Sequence, residues 1–228
     1  MRPTVLRALI WDVDGTVAET ERDGHLPAFN QAFAEMGLPW FWDEAEYTRL
    51  LHVTGGRERL LQGMRTRADA PAAPAQREAL ARELHRRKNL AYAARVAQGL
   101  IPARPGVLRL MDECTAAGVA LAIATTTSTS NVEALFGSLM GSGWRSRFAA
   151  VVCAEDVQAK KPDPEAYTVA LQRMGVAAEQ AFAMEDSPNG LHAARRAGLR
   201  CGITRSVFFA DCAFDGAAWV QDSLESPR

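Results

Sequence analysis

The amino-acid sequence predicts an α/β fold, a doubly wound and mostly parallel sheet into which a helical domain is inserted. Short, nearly continuous apolar segments recur along the chain, as is typical of strands buried on both faces of a parallel sheet. Helical patterns ending at Gly118, Gly175 and Gly198 separate several of these segments. A helical stretch between the first two apolar segments is too long for a simple crossover connection.

Each element of the predicted core has a local justification. The strand patterns cover residues 5–11, 119–124, 148–154, 181–184 and, more weakly, 199–203. The helical patterns of the core cover residues 107–117, 131–139, 164–174 and 189–197. Because strands alternate with helices, we expect a Rossmann-like core.

The helical insertion is assigned to residues 18–98, and the core domain to residues 1–17 and 99–228. An Ala/Pro-rich segment at residues 68–75 predicts a loop inside the insertion. Residues 75–97 then predict one long helix that carries His85, Arg86, Arg87 and Lys88.

Composition and charge exclude several classes of protein. The chain has 228 residues, 48% hydrophobic and 23% charged, so general disorder is excluded. A net charge of −1 does not favour nucleic acid as a partner, and no apolar run is long enough to span a membrane. The four cysteines are widely spaced, and the sequence from Met1 has no signal-peptide pattern. We therefore expect a reduced, cytoplasmic protein.

Polar residues follow the predicted strands where the carboxyl ends of a parallel sheet form a ligand crevice. Asp12 and Asp14 follow the first strand, Thr125 to Thr127 the second, Lys161 comes after the third, and Glu185-Asp186 ends the fourth. Converging carboxylates repel one another unless a cation lies between them, and their hard oxygen donors suit Mg²⁺. Lysine and threonine donors beside that ion would bind a phosphoryl group.

Each of these pieces also has an ordinary structural interpretation. An isolated Asp-x-Asp-Gly is a common turn, Glu185-Asp186-Ser187 suits a helix N-cap, and Lys161 before proline suits a solvated surface. Their order at successive strand ends favours one phosphoryl-transfer site over separate coincidences.

Together these residues resemble the four motifs of the haloacid dehalogenase superfamily. Asp12-Val13-Asp14-Gly15-Thr16 matches the first motif, Thr125 the second, Lys161 the third and Glu185-Asp186 the fourth. The resemblance covers essentially the whole chain. The insertion between the first two motifs is similar to the helical cap of the subgroup that contains β-phosphoglucomutase and phosphoglycolate phosphatase.

The resemblance implies a role for each motif residue. Asp12 is the implied nucleophile, which forms an aspartyl-phosphate, and Asp14 is the implied general acid and base. The implied ligands of Mg²⁺ are Asp12, the backbone carbonyl of Asp14, Asp186 and, in or just behind the first shell, Glu185. Thr125 and Lys161 are implied to hold the phosphoryl oxygens.

Further motifs are found at residues 19–25, 29–30, 54–59 and 84–88 of the insertion and at residues 125–128 and Asn131 of the core. These motifs resemble the CbbY branch, which is associated with carbon-fixation genes and whose characterised members dephosphorylate xylulose 1,5-bisphosphate. The expected substrate-binding residues are Glu21, Thr54, Gly55, Gly56, Arg57, His85 and Lys88 in the insertion and Thr126, Thr127 and Asn131 in the core. Arg57 stands where close relatives are expected to carry lysine, so the charge is kept but the geometry is not equivalent. Without the resemblance, residues 85–88 would be interpreted as a solvated helix face.

The leading interpretation is a Mg²⁺-dependent phosphatase that hydrolyses a sugar bisphosphate. A phosphomutase of the β-phosphoglucomutase type and a phosphoglycolate-type phosphatase are the alternatives. A phosphoacceptor signalling module is remote, because such modules place the acceptor aspartate after a middle strand and carry no inserted cap. The expected partner is a small-molecule sugar phosphate, and the chain is expected to be a monomer.

Overall fold

A computed structural model describes residues 5–225 of the chain. Met1–Thr4, which begin the segment interpreted as lacking a signal peptide, and residues 226–228 lie outside the described residues. The chain divides into a core unit, formed by residues up to Glu19 and from Pro102 onward, and a helical unit, Thr20–Ile101. Both divisions fall a few residues later than the predicted boundaries of 18–98.

Within residues 5–225 the regular elements alternate in the core unit and are helical throughout the insertion. The strands are β1 (Ala8–Trp11), β2 (Ala120–Ala124), β3 (Phe148–Val152), β4 (Ala181–Glu185), β5 (Arg200–Thr204) and β6 (Trp219–Gln221). The helices are α1 (Leu26–Glu35), α2 (Glu44–Leu50), α3 (Gly56–Met64), α4 (Pro74–Ala97), α5 (Val107–Ala116), α6 (Thr129–Met140), α7 (Glu165–Met174) and α8 (Pro188–Arg196). A π-helical turn, Glu21–His25, precedes α1.

The strands form one parallel sheet in the order β3-β2-β1-β4-β5-β6. The central strand β1 is buried at every residue, and its Trp11 lies between Ile123 of β2 and Met184 of β4. Helices α5, α7 and α8 pack against the sheet. The doubly wound, parallel, Rossmann-like core predicted from the sequence is confirmed.

The strand order fixes where a ligand can bind. The chain runs outward from β1 through β2 to β3, then returns to place β4 on the other side of β1. This reversal is the topological switch point, and in open α/β sheets the ligand crevice lies at the carboxyl ends of the two strands that flank it. The residues that follow β1 and β4 therefore belong to the candidate site.

Two elements differ from the prediction. Strand β6 was not predicted, because Trp219–Gln221 is a half-buried three-residue edge strand without a long apolar run. The first strand begins at Ala8 rather than at residue 5, and Val5 and Leu6 are exposed. The long helix of the insertion is as predicted and begins at Pro74, where proline suits the first helical turn.

The helical unit has its own aromatic core. Trp42 lies 4.8 Å from Phe29 and 5.0 Å from Phe33 between ring centroids, and all three rings are buried. Trp40 packs edge-on against Phe33 at 5.6 Å. Helix α4 packs along α1, so the apolar face of the long helix closes this core.

Candidate active site

Asp12 begins the candidate site at the carboxyl end of β1. Its carboxylate is buried, and Oδ2 accepts a hydrogen bond of 3.1 Å from the hydroxyl of Thr16, four residues on. The turn that brings Thr16 back requires Gly15, whose φ of +81° is open to glycine but strained for other residues. The Asp-x-Asp-Gly-Thr sequence is therefore a turn, as its ordinary interpretation had it, and the turn aims Asp12 at the crevice.

Glu185 and Asp186 end β4 beside Asp12, and both are buried. Oxygen atoms of Asp12, Glu185 and Asp186 all lie within 4.8 Å of one another. Gly190 in the first turn of α8 leaves room for Glu185, because a Cβ added there would lie 2.0 Å from both carboxylate oxygens. The three predicted acidic residues thus converge on one point, which a cation could occupy.

Lys161 supplies positive charge to this cluster. Its Nζ lies 2.6 Å from Oδ1 of Asp12 and 2.6 Å from Oε1 of Glu185, and the side chain is buried. Tyr167 of α7 donates a hydrogen bond of 2.7 Å to the same Glu185 oxygen. The motifs did not point to Tyr167, because nothing in the sequence shows that this helix position faces the site.

The buried carboxylates carry more negative charge than one lysine offsets. Burial, followed by the charge of Glu185, raises the pKa of Asp12 to about 7, although Lys161 opposes the shift. Burial, followed by the charges of Asp12 and Glu185, also raises the pKa of Asp186 well above its usual range. The pKa of Lys161 is raised although burial alone would lower it, because both carboxylates favour its charged form.

The excess negative charge of this cluster and the chemistry of its donor atoms both suit a metal ion. Three oxygen donors from carboxylates, without nitrogen or sulfur in the group, are the set that Mg²⁺ prefers. A divalent cation would also offset the repulsion that raises the pKa values of Asp12 and Asp186. The residues fit a hard divalent cation, whereas its identity as Mg²⁺ stays a prediction.

Thr125 follows β2 at the same edge of the sheet. It is buried, and its hydroxyl accepts a hydrogen bond of 3.2 Å from the backbone N–H of Thr127. Asn131, at the start of α6, donates a hydrogen bond of 3.3 Å to the hydroxyl of Thr127. Together with the half-buried Thr126, these residues form one polar loop, and their contact with a substrate stays a prediction.

Asp14 lies two residues beyond Asp12 and is half buried. Its backbone forms a bridge with Ala18, which holds the loop after β1 closed. The ligand predicted from Asp14 is its backbone carbonyl, and its carboxyl group is predicted to transfer protons. Both roles stay predictions.

Glu21 in the helical unit is held by two side chains, those of Tyr47 and Arg59, to which the sequence assigned no binding role. The Tyr47 hydroxyl donates a hydrogen bond to its Oε2, and Arg59 pairs with the same carboxylate at 3.4 Å. Arg59 also donates a hydrogen bond of 2.8 Å to the Tyr47 hydroxyl. All three groups are largely buried, so Glu21 is fixed in one orientation.

The Gly55-Gly56 pair and the long helix meet in the helical unit. Gly55 precedes α3 with a φ of +100°, which favours glycine. A Cβ added to Gly56 would lie 2.9 Å from the imidazole of His85, so this glycine allows the close approach of α4. Lys88 is buried on the same face as His85, and its Nζ lies 5.3 Å from the ring centroid of Phe29.

The remaining predicted residues of the insertion are more exposed. Arg57 is about half exposed and lies 4.0 Å from carboxylate oxygens of Glu58 and Glu78. Thr54 is half buried at the turn before α3. Arg86 pairs with Glu83 at the surface, so the solvated interpretation suits this member of the basic run while Lys88 is buried.

Comparisons with known proteins agree on one family. The sequence profile of the haloacid dehalogenase-like hydrolases matches residues 6–198. A CbbY protein of Cupriavidus necator is 46% identical over 222 residues, which cover 97% of this chain and 87% of that protein. A phosphorylated carbohydrates phosphatase of Thermotoga maritima is 30% identical and covers 89% of this chain and 87% of its own length.

One solved structure extends this similarity to a bound sugar bisphosphate. The crystal structure of a CbbY variant from Rhodobacter sphaeroides in complex with xylulose 1,5-bisphosphate superposes with a TM-score of 0.90 at 41% identity. The match covers 97% of this chain and 96% of that chain. The resemblance predicted from the motifs is confirmed. Within residues 5–225, no helix is both long and apolar enough to cross a membrane.

Proposed function

The chain belongs to the haloacid dehalogenase-like hydrolase family, and on that premise we propose that it is a Mg²⁺-dependent phosphatase of a sugar bisphosphate. The observation that carries the proposal is the convergence of Asp12, Glu185 and Asp186 within 4.8 Å of one another beside the buried ammonium group of Lys161. A phosphoryl group brings three charged oxygens, and it needs this combination of a cation site, a fixed ammonium group and a carboxylate nucleophile.

In the proposed first step, a carboxylate oxygen of Asp12 attacks phosphorus and forms an aspartyl-phosphate. The bond between phosphorus and the sugar oxygen breaks, and Asp14 donates a proton to that oxygen. In the second step a water molecule attacks phosphorus, Asp14 takes up its proton, and the bond to Asp12 breaks to release phosphate. Thr16 orients Asp12 throughout through its 3.1 Å hydrogen bond.

Lys161 and Thr125 are proposed to hold the phosphoryl oxygens. The ammonium group of Lys161 already lies 2.6 Å from Asp12, so it is placed to offset the repulsion between that carboxylate and an incoming phosphate. Asp12, Asp186, Glu185 and the Asp14 carbonyl would hold Mg²⁺. The ion would supply positive charge that stabilises the negative phosphoryl oxygens in the transition state.

The proposed substrate is xylulose 1,5-bisphosphate. The proposal is supported by the R. sphaeroides CbbY structure, which was solved with this sugar and is 41% identical to the chain. Glu21 would accept hydrogen bonds from sugar hydroxyls in the orientation fixed by Tyr47 and Arg59. Arg57, Lys88 and His85 supply the cationic or donor groups that a second phosphate needs. Thr54, Gly55, Gly56, Thr126, Thr127 and Asn131 complete the proposed binding set.

Phosphate release from a panel of sugar phosphates tests this proposal. The panel contains xylulose 1,5-bisphosphate, ribulose 1,5-bisphosphate, phosphoglycolate and β-glucose 1-phosphate, each with Mg²⁺, and Asp12→Asn serves as the blank. We expect a strong preference for xylulose 1,5-bisphosphate. A preference for phosphoglycolate would overturn the substrate assignment, and isomerisation of a sugar monophosphate without phosphate release would indicate a mutase.

A further inference from the structure

Arg104 is a buried arginine of the core unit that connects three loops at the edge of the sheet. Its guanidinium donates hydrogen bonds to the carbonyl oxygens of Gly15 and Arg205, and to those of Thr204 at 3.0 Å and Asp222 at 3.1 Å. Its Nε also lies 3.4 Å from Glu19. Gly15 and Glu19 follow β1, Thr204 and Arg205 lie at the end of β5, and Asp222 follows β6.

The residue after Arg205 contacts the candidate metal site. Ser206 is buried, and its hydroxyl donates a hydrogen bond of 2.6 Å to Oδ2 of Asp186. Gly15 packs closely against the same carboxylate. A Cβ added to Gly15 would lie only 2.0 Å from that Oδ2 atom. The carboxylate of Asp186 is thus held between Gly15 and Ser206.

Arg104 holds the backbone on both of these sides at once. It binds the carbonyl of Gly15 itself and the carbonyl of Arg205, whose peptide bond leads into Ser206. Only a planar guanidinium carries enough donors in fixed directions to reach several carbonyls at once, and a lysine at this position would supply a single charged centre.

We propose that Arg104 and Ser206 act as positioning residues for Asp186. Ser206 fixes the orientation of the carboxylate, and Arg104 fixes the distance between the two backbone segments that enclose it. The inference rests on the proposed function, in which Asp186 is a ligand of the metal ion. Replacing a residue that hydrogen-bonds to a metal ligand typically weakens metal affinity about 10- to 100-fold.

A positioning residue and a residue that only stabilises the fold differ in their effect on metal affinity. An arginine that merely stabilises the fold would affect thermal unfolding and leave the affinity of the folded protein for a metal ion unchanged. Arg109 is the matched control, since it also anchors the C-terminal segment. Its guanidinium donates a hydrogen bond to the carbonyl of Leu224 and pairs with Glu113, and both of these partners lie outside the two segments that enclose Asp186.

Mn²⁺ binding to the substrate-free protein, followed by electron paramagnetic resonance, is the experiment. The variants are Ser206→Ala, Arg104→Lys and Arg109→Met, with Ser206→Thr as the conservative variant that retains a hydroxyl. We expect Ser206→Ala and Arg104→Lys to bind Mn²⁺ about 10- to 100-fold more weakly. Ser206→Thr is expected to recover most of the affinity, and Arg109→Met to bind as the wild type does. In turnover, excess Mg²⁺ should restore kcat in the first two variants without raising KM for the sugar phosphate.

Wild-type affinity for Mn²⁺ in folded Ser206→Ala would overturn the inference, as would an equal loss in Arg109→Met. The serine variant keeps the test decisive if Arg104→Lys does not fold, because it removes one hydroxyl and leaves the backbone contacts in place. If the wild type itself binds no Mn²⁺, the proposed function fails first, so the two failures are distinguishable.

Discussion

The ammonium nitrogen of Lys161 lies 2.6 Å from Oδ1 of Asp12, and both side chains are buried. This contact links two residues that are far apart in the sequence and were predicted to act on the same phosphoryl group. The charge on Lys161 favours the ionised form of Asp12, which is the form that attacks phosphorus. The same nitrogen also donates a hydrogen bond of 2.6 Å to Oε1 of Glu185.

Replacing Lys161 with methionine removes the positive charge that contacts the buried carboxylates of Asp12 and Glu185. We expect kcat/KM for phosphate release to fall by about 10²- to 10³-fold, the usual cost of losing one preorganised charged donor. The pKa of Asp12 should rise further, so less of the nucleophile is ionised at neutral pH. Steady-state kinetics on the folded variant measure the loss.

The neighbouring Lys160 is the matched control for this substitution. Lys160→Met removes the same charge one residue away and leaves Lys161 in contact with Asp12 and Glu185, so activity should stay within a few-fold of the wild type. Equal losses in the two variants would show that overall charge, rather than the position of Lys161, governs the reaction.

Metal binding should depend on pH, because a ligand carboxyl must lose its proton. The pKa of Asp12 in the metal-free protein is about 7, raised by burial and by the charge of Glu185. Below that pH the carboxyl is protonated, so Mg²⁺ must displace a proton and binds more weakly; above it the carboxylate is already ionised. We therefore expect Mg²⁺ affinity to rise between about pH 6 and pH 8, with proton release larger at the lower pH.

Isothermal titration calorimetry in buffers of different ionisation enthalpy measures that proton release. Asp12→Asn lacks one of the two ligand carboxyl groups whose pKa is raised, the other being Asp186, so its residual metal affinity should change less over the same pH range. An affinity of the wild type that is flat across this range would contradict the assignment of Asp12 as a ligand.

Gly190→Ala should disturb the site although it replaces no charged residue. The added Cβ would lie 1.9 Å from the carboxyl carbon of Glu185, so the carboxyl group that now contacts Lys161 and Tyr167 must shift. We expect a destabilisation of about 1–3 kcal/mol, as for other overpacked positions, and a clear loss of activity. Urea unfolding and phosphate release measure the two effects.

Gly137→Ala is the control, because this glycine also lies within a helix but has open space where a Cβ would be added. There the substitution should stabilise the protein by about 0.5–1 kcal/mol, since alanine favours a helix. Equal behaviour of the two variants would mean that the close approach of Gly190 to Glu185 is not important.

Substitution of Arg57 should affect substrate binding, whereas substitution of Arg59 should affect stability. Arg57 is about half exposed, with its carboxylate partners at 4.0 Å, so Arg57→Met should leave stability nearly unchanged. If it anchors a second phosphate, the variant raises KM for the bisphosphate about tenfold or more and spares a monophosphate. An unchanged KM for the bisphosphate in Arg57→Met would remove Arg57 from the proposed binding residues.

Arg59→Met should instead lower the midpoint of thermal unfolding, because Arg59 is buried against Glu21 and Tyr47.

The sequence predicted the elements whose signals are local. The apolar runs of β1 and β2 and the glycines that end α5 and α7 follow from backbone burial and helix capping. Strand β6 does not have such a signal, because its three half-buried residues pair only after β5 is in place. The π-helical turn Glu21–His25 likewise depends on packing that a short segment does not encode.

The residues at the strand ends could be predicted from the order of strands in the sequence. The residues on helices could not, because their positions depend on which face of the helix packs inward. Parallel strands bring their carboxyl ends to one edge, so the apolar runs alone were enough to place Asp12 and Asp186 together. Arg57 and Arg59 are two residues apart on α3 and therefore face different directions. The glycine pair drew attention to Arg57, whereas packing against Tyr47 buried Arg59. Ser206 and Arg104 lie in loops whose partners come from distant segments.

Mass spectrometry of the reacting enzyme shows whether Asp12 becomes phosphorylated during turnover. Wild-type protein turning over xylulose 1,5-bisphosphate with Mg²⁺ is quenched in acid, and the peptide that contains Asp12 and Asp14 is mapped by mass spectrometry. We expect a phosphoryl group on Asp12 in the wild type, and neither a phosphoryl group nor phosphate release in Asp12→Asn. Phosphate release at an undiminished rate by Asp12→Asn, or a phosphoryl group on another residue, would contradict it.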